Sequence, residues 1–225
     1  MAAGLRVAID LDGTVADLSA AMHAVATRRT GREPDPDGGD HGVPNRQDRP
    51  TLSDLALTTR QLDQLWATVL RIKNFWTTLD EMEPGAVKRI AELAAERRWD
   101  VLFITTRPTA AGATTQVQSQ EWLEAHGFPR PSVYVVKGSR GKIADALQLD
   151  AVVDDRPENC LDVAVESPAR AFLVWSGSEA ELPPGAARHG VRLVPTISAA
   201  IDGLVEFDRE RQGGVGRSFR RLFGR

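Results

Sequence analysis

The sequence predicts an α/β fold, a mainly parallel sheet with helices on both faces and a small helical cap inserted after the first strand. Short β-branched-rich apolar runs recur at residues 5–9, 101–104, 133–136, 151–153, 171–175 and 191–194, and runs of that length suit strands buried on both faces. Helical periodicity fills most of the intervals between them, as strand–helix alternation in a parallel sheet requires. About 70 residues without a convincing strand separate the first run from the second, far more than a crossover helix needs.

The run at residues 5–9 opens the sheet. Residues 16–30 and 53–73 read as helices, and residues 31–50 between them, rich in Asp, Gly, Pro and Arg, read as a mobile loop. Together they make the cap, residues 16–81. Pro84 opens the next helix, where Val87, Ile90, Leu93 and Ala94 share one stripe. After the strand at 101–104 comes a helix carrying Trp122 and Leu123, closed by Gly127 as its C-cap. After the strand at 133–136, Ser139 caps a short helix with Ile143 and Leu147 on one face. Asp154-Asp155 follows the strand at 151–153; the structural alternative to a functional role is that Asp155 caps the next helix, with Pro157 in the first turn. The last two runs complete a core of residues 1–15 and 82–208. Residues 209–225 form a basic tail, with Arg209, Arg211, Arg217, Arg220, Arg221 and Arg225 among four glycines and Phe219, Leu222 and Phe223. It reads as a frayed terminus in preference to an arm for anionic lipid or nucleic acid.

Composition narrows the function classes. The 28 Lys and Arg against 31 Asp and Glu give a net charge of -3, which argues against polynucleotide binding or a membrane-coating role. With 42% hydrophobic residues the chain is expected to bury a core. Its one cysteine, Cys160, rules out an intrachain disulfide framework and a multi-cysteine zinc site. It reads as a small core residue rather than a nucleophile. The four histidines show no metal-ligand spacing. No apolar run is long enough to span a bilayer, and residues 1–6 lack the pattern of a signal peptide. These readings predict a cytoplasmic protein with no membrane span, and they leave a homodimer open.

The chemistry collects where strands end. Asp10-Leu11-Asp12-Gly13-Thr14 follows the first strand. Residues i and i+2 of a strand share a face, so Asp10 and Asp12 point together while Leu11 packs. Adjacent carboxylates repel unless a cation lies between them. In open parallel sheets ligands bind beyond the carboxyl ends of the strands. Thr105 and Thr106 follow the second strand, Asp154 and Asp155 follow the fourth, and Lys142 lies at the helix start after the third, with Lys137 competing from nearer the strand end. This set suits a phosphoryl group. One carboxylate attacks, a second moves a proton, a hydroxyl and an ammonium hold phosphate oxygens, and carboxylates hold a divalent cation. Hard oxygen donors favour Mg²⁺ over zinc.

The ordered set Asp10-x-Asp12-Gly13-Thr14, Thr105, Lys142 and Asp154-Asp155 resembles the four motifs of the haloacid dehalogenase-like (HAD) hydrolase superfamily, over about residues 4–25 and 82–175. The resemblance implies a Rossmann-like core and phosphoryl transfer through an aspartyl-phosphate. By motif match, Asp10 is the nucleophile, and Asp12 is the general acid/base and a Mg²⁺ ligand through its backbone carbonyl. Thr105 binds phosphate, Lys142 stabilises the charge, and Asp155 is a metal ligand with Asp154 beside it. Thr106 remains an alternative for the motif hydroxyl. Residues 10–17, DLDGTVAD, and 73–87, KNFWTTLDEMEPGAV, are similar to segments of the 5'(3')-deoxyribonucleotidases. In that family the cap sets aromatic residues against the base, which implies Phe75, Trp76 and Trp66 here. A reading of Trp66 and Phe75 as the cap's own core stands beside it. The expected function is a Mg²⁺-dependent nucleotidase, with a phosphatase for a sugar phosphate or other small phosphoester as the alternative. A non-catalytic scaffold that recruits a partner through its basic tail is the remaining reading.

Overall fold

Each apolar run becomes a strand where β-branched and aromatic side chains pack on both faces of a sheet. The computed structural model of the chain describes residues 4–29, 57–177, 182, 185–186 and 188–223. In chain order the elements are β1 (Arg6–Asp10), α1 (Leu18–Arg29), α2 (Thr59–Val69), a 3-10 turn (Phe75–Thr77), α3 (Ala86–Arg97) and β2 (Asp100–Thr105). They continue as α4 (Thr115–Ala125), β3 (Ser132–Val135), α5 (Arg140–Ala146), β4 (Ala151–Asp154), α6 (Pro157–Glu166), β5 (Arg170–Val174), β6 (Arg192–Val194) and α7 (Ile197–Phe223). The expected loop at residues 31–50 lies outside the described residues.

The 6-stranded sheet has the order β3-β2-β1-β4-β5-β6. β1 runs parallel to β4 with Ile9 opposite Val153. β4 runs parallel to β5 with Asp154 opposite Leu173, and β5 runs parallel to β6. The order reverses between β1 and β4. Such reversals are where open sheets bind ligands.

The chain divides into two compact units, Met1–Ile9 with Arg89–Leu102 and Ser139–Arg225, and Asp10–Lys88 with Phe103–Gly138. This differs from a division into core and cap at residues 15 and 81. The backbone explains the grouping. After the β1 turn, Asp17 N–H donates to the Asp80 carbonyl at 2.9 Å and Met82 N–H to the Val15 carbonyl at 2.8 Å. Further on, Asn74 N–H donates to Ala111 and Ala111 N–H to Leu70, at 2.7 and 2.8 Å. The inserted segment is thus stitched to the loop that follows β2.

In the unit that contains β4, α5 and α6 pack so closely that a Cβ on Gly141 would run into the Asp162 carbonyl. Ser139 is the N-cap of α5, as its position predicts, and accepts from Lys142 N–H at 3.3 Å. The N-cap of α6 is Arg156, not Asp155, with Pro157 opening the helix. Pro157 fixes the chain one residue later than the Asp155 reading assumes. In the same unit the buried Asp208 of α7 accepts from Trp99 Nε1 at 3.1 Å and from Arg97 at 3.3 Å. The expected boundary of a frayed tail at residue 209 therefore falls inside a helix. Arg211 pairs with Asp150 rather than standing free.

Candidate active site

The end of β1 is built by its turn. Asp10 is the last residue of the strand and Asp12 follows it, at 8% and 5% exposure. Gly13 takes a positive φ of 85°, a conformation that favours glycine. Its N–H donates to the Ala16 carbonyl at 2.9 Å, while the N–H groups of Thr14, Val15 and Ala16 all donate to Leu11. Leu11 is fully buried. The packing of Leu11 and the turn behind it fix the backbone on which both carboxylates stand.

In the same unit, β2 ends at Thr105, which is 1% exposed and accepts from Arg107 N–H at 3.3 Å. Thr106 is half-buried. The Arg107 guanidinium is enclosed and grips the Asp12 carboxylate. Nη2 donates to Oδ1 at 2.7 Å, and Nε donates to Oδ1 at 2.9 Å and Oδ2 at 3.0 Å. Nη1 donates to Ser119 Oγ at 3.0 Å. The guanidinium carbon lies 5.0 Å from the Trp76 ring centre and 5.9 Å from that of Trp122, within cation–π range. The structure thus brings Asp12 and Trp76 together through a residue that the sequence reading did not assign to the site.

The three expected base-binding aromatics are all buried in this unit. Trp66 and Trp76 have no exposed surface and Phe75 has 2%. Trp76 stands 6.4 Å from Trp66 and edge-on to Phe75 at 5.2 Å between ring centres. Its indole N–H donates to the Pro108 carbonyl at 3.1 Å. In this arrangement the aromatics pack on one another and on Arg107, so none of them presents an open face to a base.

At the end of β4, in the other unit, Asp154 is fully buried and Asp155 is half-buried. Asp154 accepts from Arg156 N–H at 2.9 Å and from Asn159 Nδ2 at 3.0 and 2.9 Å, with Arg140 Nε 3.5 Å away. Burial pushes its carboxyl above the ordinary carboxylate range, and Arg140, the Arg156 N–H and Asn159 oppose that shift. Lys142 is exposed on α5, with Asp162 as an electrostatic neighbour. Burial and the charge of Glu166 raise Asp162, while Lys142 lowers it. The cation nearest Asp154 in these contacts is Arg140. Lys137 is exposed and lies in the unit that contains Asp12.

Neither Arg107 nor Arg140 has a role assigned to it from the sequence. Each is buried, which is rare for arginine without a partner. Arg107 stands two residues after Thr105 and Arg140 one residue before Gly141. Neither position has a periodicity that reports burial.

Among the described residues no group of three or more His, Cys, Asp or Glu side chains gathers as a metal cluster. On the β1 turn the Asp10 carboxylate and the Asp12 main-chain carbonyl are hard oxygen donors of the kind a divalent cation takes while keeping several water ligands. Arg107 engages the Asp12 carboxylate, which leaves cation binding at this residue to its carbonyl oxygen.

Residues 5–173 match the family described as 5' nucleotidase, deoxy (pyrimidine), cytosolic type C. No curated protein matches the chain. Among solved structures, a hydrolase from Pseudomonas syringae is 16% identical with a TM-score of 0.50, over 90% of this chain and 98% of that one. A HAD family hydrolase from Deinococcus radiodurans R1, with bound phosphate and sodium, is 16% identical with a TM-score of 0.50, over 92% and 97%. A phosphonoacetaldehyde hydrolase-like protein from Oleispira antarctica is 12% identical with a TM-score of 0.52, over 92% and 94%. These likenesses show a shared fold.

Proposed function

The chain belongs to the family of 5' nucleotidase, deoxy (pyrimidine), cytosolic type C, and on that premise we propose that it is a cytoplasmic, Mg²⁺-dependent phosphomonoesterase that hydrolyses (deoxy)nucleoside monophosphates through an aspartyl-phosphate. The observation that carries the reading is the buried Asp10 and Asp12 pair on the turn that ends β1, inside the matched segment.

An Asp10 carboxylate oxygen attacks phosphorus as the bond from phosphorus to the nucleoside oxygen breaks. Asp12 gives its proton to that leaving oxygen. A water molecule then attacks phosphorus and passes a proton to Asp12, and the bond from Asp10 to phosphorus breaks to release phosphate. The Thr105 hydroxyl, with Thr106 beside it, and Lys142 hold phosphate oxygens. Asp10, Asp155 and the Asp12 carbonyl would hold the Mg²⁺ ion, and Asp154 supports that end of β4 through its bonds to Arg156 and Asn159. When bound, the cation neutralises phosphate charge and lets the neighbouring carboxylates coexist.

Sheet-end residues that hold only phosphate and metal cannot tell one monoester from another, so substrate choice falls to the inserted segment. There the burial of Trp66, Phe75 and Trp76 favours a second reading, the same chemistry on a sugar phosphate or other small phosphoester. Phosphate release from nucleoside, hexose and triose monophosphates, with Mg²⁺ and with chelator, separates the two. The nucleotidase reading expects the highest kcat/KM on a nucleotide and no turnover in chelator. A sugar phosphate that outperforms every nucleotide would leave only the phosphatase chemistry.

A further inference from the structure

A buried arginine is costly unless its charge is paired and hydrogen-bonded, and each guanidinium nitrogen of Arg107 has an acceptor. Three hydrogen bonds go to Asp12 and one to Ser119. Trp76 and Trp122 flank the guanidinium. The flanking groups are themselves fixed. Gln118 accepts from Trp76 N–H at 3.1 Å and Pro108 accepts from its indole. Trp122 Nε1 donates to the Leu79 carbonyl at 2.7 Å. Ser119 donates on to the Thr115 carbonyl at 2.8 Å. The inserted segment near residues 76–79, the loop after β2 and α4 thus converge on one guanidinium.

That guanidinium holds Asp12 unevenly. Oδ1 receives an N–H of Nη2 and shares the single Nε–H with Oδ2, whose contact is the longest of the three. Oδ2 therefore keeps a lone pair for a proton while Oδ1 fixes the plane of the carboxyl group. We propose that Arg107 is a positioning residue: it aims Oδ2 of Asp12 at the leaving oxygen, and through Trp76 and Trp122 it ties that aim to the inserted segment and to α4. This rests on Asp12 being the acid/base of the proposed phosphatase.

The balance of the first step supplies the test. The proton travels from Asp12 to the ester oxygen as the phosphorus–oxygen bond breaks. An alkyl phosphate needs that proton, because its alkoxide is a poor leaving group. p-Nitrophenyl phosphate does not, because its phenolate leaves unaided. kcat/KM reports this step for both esters. A positioned acid is worth roughly 100-fold to 10,000-fold, so Arg107→Ala should lower kcat/KM on an alkyl monophosphate, nucleoside or sugar, about 100-fold. On p-nitrophenyl phosphate the loss should stay below about 10-fold. Arg107→Lys keeps the charge but cannot form the fork. It should fall between the two, and it keeps the test valid if the alanine variant does not fold.

Asp12→Asn is the reference and should show the same skew between the esters. Equal losses on both esters in a folded Arg107 variant, or no loss at all, would overturn the positioning role. Equal losses in Asp12→Asn would overturn the acid role of Asp12, and this proposal with it. If the wild type hydrolyses sugar phosphates but no nucleotide, the nucleotidase reading fails alone, and the sugar ester still decides the role of Arg107.

Discussion

Asp154 carries two opposing demands. Burial favours its neutral form, while Arg140, the Arg156 N–H and Asn159 favour its charged one, and burial wins. A carboxyl whose folded value is raised contributes stability below its ordinary range and loses it as pH rises through the folded value. Arg140→Ala removes the charge that offsets the burial. It should cost about 3 kcal/mol at pH 7, the cost of leaving one buried partner unpaired, and less at pH 4. Urea unfolding at the two values checks this, and a loss independent of pH would refute it. At this scale the sequence showed the acids better than their partners. Asp10, Asp12 and Asp154 stand at the ends of apolar strand-forming runs, where the pleat of a strand sets which residues share a face. Arg107 and Arg140 are placed by contacts with distant residues, Asp12 at a separation of 95 and Asp154 respectively, which no local pattern encodes.

Among elements, the strands were legible because β-branched runs between Gly, Asp and Pro have few other uses. The Ser139 cap was legible for a similar reason, since its hydroxyl stands at the start of a short apolar stripe. α7 was not, because three glycines among arginines dilute its pattern and glycine is a poor helix former. Its buried Asp208 is held by Trp99 and Arg97 from far along the chain. The α5–α6 contact gives this scale its prediction. Gly141→Ala puts a methyl against the Asp162 carbonyl, and overpacking of this kind costs about 1–3 kcal/mol. For a chain of this size, each kcal/mol lowers Tm by roughly 2–4 °C. Because α5 must shift, Lys142 shifts with it, so kcat/KM on phosphoesters should fall along with Tm. An unchanged Tm would show that the helices part freely.

For the whole molecule, the predicted sheet and its parallel order are present, and no helix of the described residues is long and apolar enough to cross a membrane. The grouping of segments was less legible. A cap inserted after the first strand reads as a separate body, yet the insertion groups with the β2 loop, α4 and β3. Hydrogen bonds from Asn74 and Trp76 to Ala111 and Pro108 explain this, and these pairings become visible only in three dimensions. In sequence the aromatics of that insertion admit both a substrate face and a cap core, because tryptophans read alike whether they meet a ligand or one another. The proposed function rests on the Asp10 and Asp12 pair at the end of β1. Phosphate release from a deoxynucleoside monophosphate with Mg²⁺, compared between the wild type and a folded Asp10→Asn variant, tests it most directly. A neutral amide cannot form the acyl phosphate, so turnover should be abolished while Tm is kept. An Asp10→Asn protein that retains most of its phosphatase activity would contradict the account.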